Sequence, residues 1–336
     1  MQKTAEAVSL GHPDKTSDYI TSYILDRMIE QDPAVKYAVE VMLKDNTVVL
    51  GGEITGDVSL AHLREYVLAA LAKIGYTEEY AGIWGACAIE PQKIKVINLI
   101  GQQSAEINQG VMADGWGDQG VFVGYACQGE GLINRELFLA RKLNRALYEK
   151  AKKSTVFGLD IKTQITLGED GKIETAIAAV PMLKSTDLKA FIVETLGETP
   201  KNIIVNGTGN YTMHSSVADR GITGRKLACD FYSTACPIGG GSPWTKDGTK
   251  ADLTLNMYAR KLAVEHLADN DECFVYLSSC IGRSALPSAV VKTRKNGTDK
   301  LQNLQNLLPP SALIKMFHLH EPVFAELCRE GFLSRI

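Results

Sequence analysis

The chain has 336 residues, 45% of them hydrophobic and 22% charged, with 36 basic against 39 acidic side chains and a net charge of −3. That length implies two or three domains rather than one compact core. The slightly acidic balance argues against a general electrostatic nucleic-acid binder, and no apolar run approaches the roughly 18 residues of a membrane span. The opening "MQKTAEAVSL" lacks the apolar centre of a signal peptide. The seven cysteines (Cys87, Cys127, Cys229, Cys236, Cys273, Cys280 and Cys328) form no CxxC pair and are odd in number. Free, buried thiols in a cytoplasmic protein are therefore expected.

In chain order, "DKTSDYITSYILDRMIEQ" (14–31) carries apolar residues at helical spacing. "YAVEVML", a turn at Asp45-Asn46 and "TVVLGGEIT" read as a hairpin. A helix, "SLAHLREYVLAALAKIGY", follows, and the apolar "GIWGACAI" closes the unit. The order then recurs: helix "ELFLARKLNRALYEKA", hairpin "IKTQITL" and "IETAIAAV", helix "STDLKAFIVETLG", strand "NIIVNG". A third round has helix "ADLTLNMYARKLAVEHLA", strands "CFVYLSSCIG" and "PSAVVKTR", and a helix around "LQNLQNLL". Three such rounds imply three similar α/β domains, with helices on one face of each sheet. The expected division is 1–100, 101–205 and 206–336, with segments free to exchange between units.

The polar chemistry lies between the units. The connections are "GHPDK", "GQQSAEINQGVMADGWGDQG", "NGTGNYTMHSSVADRGITGRK" and "IGGGSPWTKDGTKAD", and loops this long are uncommon unless functional. "GWGDQG" fits GxGxxG but leads into the strand-like "VFVGYAC" rather than a helix, which rules out a dinucleotide fingerprint. "GGGSPWTKDGTK" lacks the Gly-Lys-Ser/Thr of a P-loop. Arg225-Lys226, Lys246 and Lys250 fall in glycine-rich loops, and Lys162 lies in a strand-like run. Such cations suit a polyphosphate. Asp14 and Asp252 each open a helical pattern beside a lysine. They are N-caps, or ligands of Mg²⁺, which takes one or two carboxylates plus phosphate oxygens. His12 stands apart from His62, His214, His266, His318 and His320, which have no motif context and read as structural.

Six motifs in order ("GHPDK", "GGEIT", "INQG", "GDQG", "GITGRK" and "GGG…KD..K.D") resemble the S-adenosylmethionine synthetases, or methionine adenosyltransferases, across residues 4–325. The resemblance implies three βαββαβ-type domains about a pseudo-threefold axis. It also implies a reaction: methionine sulfur attacks C5′ of ATP, and the bound tripolyphosphate is then hydrolysed to diphosphate and phosphate. By resemblance, His12 stabilises the leaving oxygen, and Lys162, Arg225, Lys226, Lys246 and Lys250, with Lys15 as a lesser member, cradle the triphosphate. Asp14 and Asp252 would hold Mg²⁺, two ions per site, and Glu40 would hold K⁺. Glu53, Gln103, Asp118 and Lys250 would bind L-methionine, Tyr211 and Asp219 the adenosine side, with Glu6 in the same cleft. Active sites at a subunit interface imply a homodimer or homotetramer, with no nucleic-acid or membrane partner.

The chain departs from the family pattern in places. Leu10 replaces an acid before "GHPDK", and "SPWTKD" puts Trp244 near a usual phenylalanine. "DFYSTACPIGGG" lacks a glycine pair and a histidine, and the chain stops at "EGFLSRI", short of the family's usual end. These mark a divergent, C-terminally short member.

Overall fold

The computed structural model describes residues 2–101 and 114–335. The loop motif "INQG" and Gln103 lie outside the described residues.

Strand β1 (Lys3–Val8) leads into helix α1 (Pro13–Ile29). The hairpin β2 (Lys36–Lys44) and β3 (Thr47–Thr55) turns at Asp45, which takes a positive φ of 51°. Its period-2 pattern buries Tyr37, Val39, Val41 and Leu43 and leaves Glu40, Met42 and Lys44 on the other face. Then come α2 (Leu63–Ile74), α3 (Glu78–Trp84) and β4 (Lys95–Gly101). The strand closing this unit is therefore "KVINLIG". The expected closing segment "GIWGACAI" instead forms the end of α3 and a 3-10 turn, Gly85–Cys87. The apolar side chains Trp84, Ala88 and Ile89 are buried there without strand pairing.

β5 (Gly120–Cys127), α4 (Arg135–Lys152), the β6 (Lys162–Leu167) and β7 (Ile173–Ala179) hairpin, α5 (Lys189–Leu196) and β8 (Asn202–Val205) follow. A two-residue strand, β9 (Gly221–Ile222), precedes α6 (Ala251–Leu267). The chain ends with β10 (Glu272–Ser279), β11 (Ser288–Lys295), β12 (Thr298–Asn303), α7 (Pro310–Met316) and α8 (Phe324–Glu330). β12 corrects the helix expected around "LQNLQNLL". Asn296 and Gly297 both take positive φ (50° and 76°), the turn that folds one strand back on another.

Three four-stranded sheets result, in the orders β1-β6-β7-β8, β9-β2-β3-β4 and β5-β10-β11-β12. The first two share one pattern: antiparallel, antiparallel, parallel. The third is antiparallel throughout. In each, the first strand comes from a distant part of the chain, so the sheets are stitched together by long-range pairing. α4 covers the first sheet, α1 and α2 the second, α6 the third.

α1 and α6 are buried on most faces, polar residues included, so those polar groups need internal partners. Thr21 donates to the Val39 carbonyl at 2.7 Å, and Arg260 donates to the carbonyls of Tyr125, Leu132 and Gly131. Gly124 lets β5 lie against α6, since a Cβ there would sit 1.9 Å from the Ala259 oxygen. All seven cysteines are free. Among the described residues no helix is long and apolar enough to cross a membrane.

Candidate active site

The "GHPDK" loop is held from behind. Ser9 donates its hydroxyl to the Leu159 carbonyl (2.6 Å) and accepts the Ile161 N–H (2.9 Å). Gly11 is required by contact, because a Cβ would meet the Leu159 oxygen at 2.2 Å. Pro13 occupies the first helical turn, where its missing N–H costs nothing. The N-cap is His12, not Asp14: its Nδ1 accepts the Asp14 N–H at 3.1 Å. That bond fixes the tautomer, leaving the proton on Nε2, which has no partner among the described residues. His12 is buried, and burial first, then Lys162 and Lys226, push its pKa down to about 3 against Asp14 and Asp219. The imidazole is a neutral donor through Nε2.

Asp14, one residue inside the helix, draws in the "GITGRK" loop. One carboxylate oxygen accepts the Ile222 N–H (2.9 Å), the other the Lys226 ammonium (2.5 Å). Burial opposes ionisation, yet Lys226 and the Ile222 N–H hold Asp14 below its ordinary value. Asp18, one turn on, accepts the Gly224 N–H at 2.9 Å. Thr223 donates its hydroxyl to Glu40. Gly221 lies so close to α1 that a Cβ would meet the Pro13 oxygen at 2.1 Å. Gly221→Ala should therefore lower stability by about 1–3 kcal/mol, the usual cost of overpacking, read as a lower thermal midpoint than wild type. An unchanged midpoint would show that the loop is not clamped to α1.

Lys162 opens β6; its charge lowers and that of Asp219 raises the pKa of Asp160, whose own charge acts on Tyr211. Asp160, absent from the expected set, accepts the Ser215 N–H at 3.0 Å through one oxygen; the other is buried without a hydrogen-bond partner. Burial raises its pKa to about 6. Its only signal in sequence was its place two residues before Lys162 in "LDIKTQIT". Arg225 is exposed on the same loop as Lys226.

A second group forms further along β2. Lys246 bridges to Ala38, and Glu53 pairs with Ala38 from the other side. Directly paired residues share a face, so Lys246 and Glu53 project from the face that carries Glu40 and Met42. Lys246 pairs with Asp252, and Gly241 makes room for that carboxylate, since a Cβ would lie 1.9 Å from Oδ1. Lys250, not Asp252, is the N-cap residue of α6. Burial lowers the Lys250 ammonium's pKa, and it shares the field of Asp247, Lys246 and Glu53. Ile222 lies opposite Met42 and Lys246 opposite Ala38, so the two groups are separated by four residues of β2, roughly 13 Å.

Three expected residues fall outside both groups. Lys15 is buried between Asp230 (2.7 Å) and Asp18 (3.1 Å), with its ammonium 4.7 Å from the Trp244 ring centroid. The Trp244 indole N–H donates to Asp230 at 2.8 Å. Asp118 is exposed before β5 and accepts the Gln119 N–H. Glu6, in β1, lies 3.8 Å from the Cys229 sulfur. His214, set aside as structural, is buried between Tyr80 and Thr212, with Trp84 against its ring.

Among the described residues no three His, Cys, Asp or Glu side chains form a ready cation cage. The donors that are present, the carboxylates of Asp14, Asp252 and Glu40 with the Thr223 hydroxyl, are hard oxygens. They fit Mg²⁺ and K⁺ when substrate phosphates complete the shell.

Comparison with known proteins decides the family. Residues 1–105 match the S-adenosylmethionine synthetase N-terminal domain, and residues 213–336 match its C-terminal domain. The chain belongs to the S-adenosylmethionine synthetase family. It is similar to the S-adenosylmethionine synthase of Helicobacter hepaticus, 31% identical over 99% of this chain and 92% of that one. It is also similar to S-adenosylmethionine synthase 2 of Rhodospirillum rubrum, 33% identical over the same shares. An unusual S-adenosylmethionine synthetase from Campylobacter jejuni superposes with a TM-score of 0.87, at 30% identity, covering 99% of this chain and 94% of that one. Within the family frame, the three sheets are its three α/β domains.

Proposed function

We propose that this enzyme makes S-adenosylmethionine from ATP and L-methionine at a site built from the two groups described. The methionine sulfur lone pair attacks C5′, and the C5′–O5′ electrons pass to the triphosphate, which leaves whole. Water then splits the bound tripolyphosphate into diphosphate and phosphate. The carrying observation is His12: a neutral imidazole, oriented by the Asp14 N–H, with its Nε2–H unpartnered among the described residues and in the field of the cations Lys162 and Lys226. Such a donor meets charge as it develops on O5′. Lys162, Arg225, Lys226, Lys246 and Lys250 hold the phosphates, and positioning serves a thioether that is only a modest nucleophile.

Asp14 and Asp252 would hold Mg²⁺ and Glu40 would hold K⁺, supplying charge neutralisation along the triphosphate. In the free chain Lys226 and Lys246 pair with those two aspartates. Binding of the triphosphate releases each lysine to phosphate oxygens. Glu53, Gln103, Asp118 and Lys250 bind methionine; Tyr211 and Asp219 take the adenosine side. Lys15, with two buried carboxylates and an indole around it, acts in the fold rather than on phosphate. Phosphorus NMR of a turnover mixture tests the reaction: diphosphate and phosphate should appear in equal amounts. ADP as the main product would refute it.

The site is completed by a second copy. The two groups lie roughly 13 Å apart along β2, on a sheet face left open in the single chain. The face that bears Glu53 and Lys246 also exposes Met42, Ile97 and Leu99, the last 65% exposed. An open apolar sheet face of this kind marks an interface. Leu99→Glu should give a monomer by sedimentation and lose nearly all synthesis. A monomer of full activity would contradict the shared site.

A further inference from the structure

We propose a second small-molecule site, behind the catalytic loop, that binds a phosphate monoester dianion. It is a half-open cavity of about 450 Å³ between α4, the residues before α1 and the end of α8. A volume of that order suits a small ligand. It touches none of Lys162, Lys226, Lys246 and Lys250, so it stands apart from the proposed reaction site.

Its charges decide the ligand class. Two ion pairs on its wall cancel: Lys152 with Glu149 (3.3 Å) and Arg145 with Glu330 (2.8 Å). Lys15 sits between two carboxylates, Asp18 and Asp230, which leaves one negative charge in surplus. Against that stand three cations that make no salt bridge among the described residues: Lys73, Arg141 and Arg329. The balance is two positive charges, in a chain whose net charge is −3.

The three cations also keep hydrogen-bonding capacity in reserve among the described residues. Arg141 spends one terminal nitrogen on the carbonyls of Cys229 (2.6 Å), Asp230 (2.9 Å) and Phe231 (3.2 Å). Its Nη1 and Nε make no hydrogen bond among the described residues. Burial pulls the guanidinium below its ordinary pKa, with the Asp230 carboxylate opposing. Arg329 is held by the Tyr19 hydroxyl at 2.5 Å and lies over that ring. Lys73, at the end of α2, has no partner among the described residues. An oxyanion presented to such a set accepts charge-assisted hydrogen bonds, which are the stronger kind. The floor, Ala7, Val8 and Leu10, is apolar and favours an organic substituent on the phosphate.

Calorimetric titration of the full chain with phenyl phosphate tests this. Lys162→Ala serves as the reaction-site control. The exposed residues are changed in Lys73→Glu and, separately, Arg329→Glu, with thermal midpoints confirming that each variant folds. Binding should persist within twofold in Lys162→Ala and weaken by about tenfold or more in both charge reversals. Weaker binding of inorganic phosphate than of phenyl phosphate is expected from the apolar floor. Absence of binding at millimolar ligand, equal affinity in the charge reversals, or loss confined to Lys162→Ala would each overturn the proposal.

Discussion

Replacing His12 with asparagine should cut S-adenosylmethionine formation by about 10²–10³-fold, the usual loss when one preorganised transition-state donor is removed. Asparagine is chosen because it is itself a good N-cap. Its side-chain oxygen can take the Asp14 N–H that His12 Nδ1 now accepts at 3.1 Å, so the start of α1 survives. What it lacks is the reach and direction of the Nε2–H. Hydrolysis of supplied tripolyphosphate, which breaks a P–O rather than the C5′–O5′ bond, should fall by far less. Parallel steady-state assays of the two steps check this. An equal loss in both would falsify the role given to His12, leaving it a general phosphate contact or a fold residue.

Lys15→Met should produce the largest stability loss among the site-loop residues, about 3–5 kcal/mol, because it strands two carboxylates in the interior. Asp18 and Asp230 are both buried, and each lies within 3.1 Å of the Lys15 ammonium. Burial already pushes the Asp18 pKa up to about 7, with Lys15 restraining it, so losing the lysine removes the charge that keeps Asp18 ionised. Asp230 also accepts a hydrogen bond from the Trp244 indole N–H, which ties the triad to the α6 approach loop. Denaturant unfolding should show the loss. Adding Asp230→Asn, which keeps an acceptor for Trp244 and removes one stranded charge, should restore part of it. If Lys15→Met kept wild-type stability while sharply weakening ATP affinity, Lys15 would belong with the phosphate cations after all.

The helices and hairpins were legible because their patterns are local. The period-2 burial of β2 and the apolar spacing of α1 follow directly from "YAVEVML" and "SDYITSYILDRMI". The composition of the sheets was not legible. β1 pairs with β6 and β5 with β10 across long stretches of intervening chain, and β9 is too short to show any periodicity. Around "LQNLQNLL" the leucine spacing suggested a helix, but the Asn296-Gly297 turn and the pairing with β11 prevailed.

At the site, motif residues were readable and their supports were less so. Asp18 had a usable signal: it lies four residues after Asp14, on the same face of α1, and both clasp the "GITGRK" loop. Asp160 and Thr223 carried none beyond their neighbours. The N-cap identities at His12 and Lys250 depend on backbone geometry that the sequence does not display. Lys15 looked like a sixth phosphate cation by position, and only three-dimensional packing shows the two carboxylates beside it.

The most direct test is mass spectrometry of the purified chain incubated with ATP, L-methionine, Mg²⁺ and K⁺. S-adenosylmethionine accumulating with diphosphate and phosphate, and only when Mg²⁺ is present, is the predicted result. ATP remaining intact under those conditions, with bound nucleotide recovered unchanged, would contradict the account and leave a nucleotide-binding member of the family without turnover.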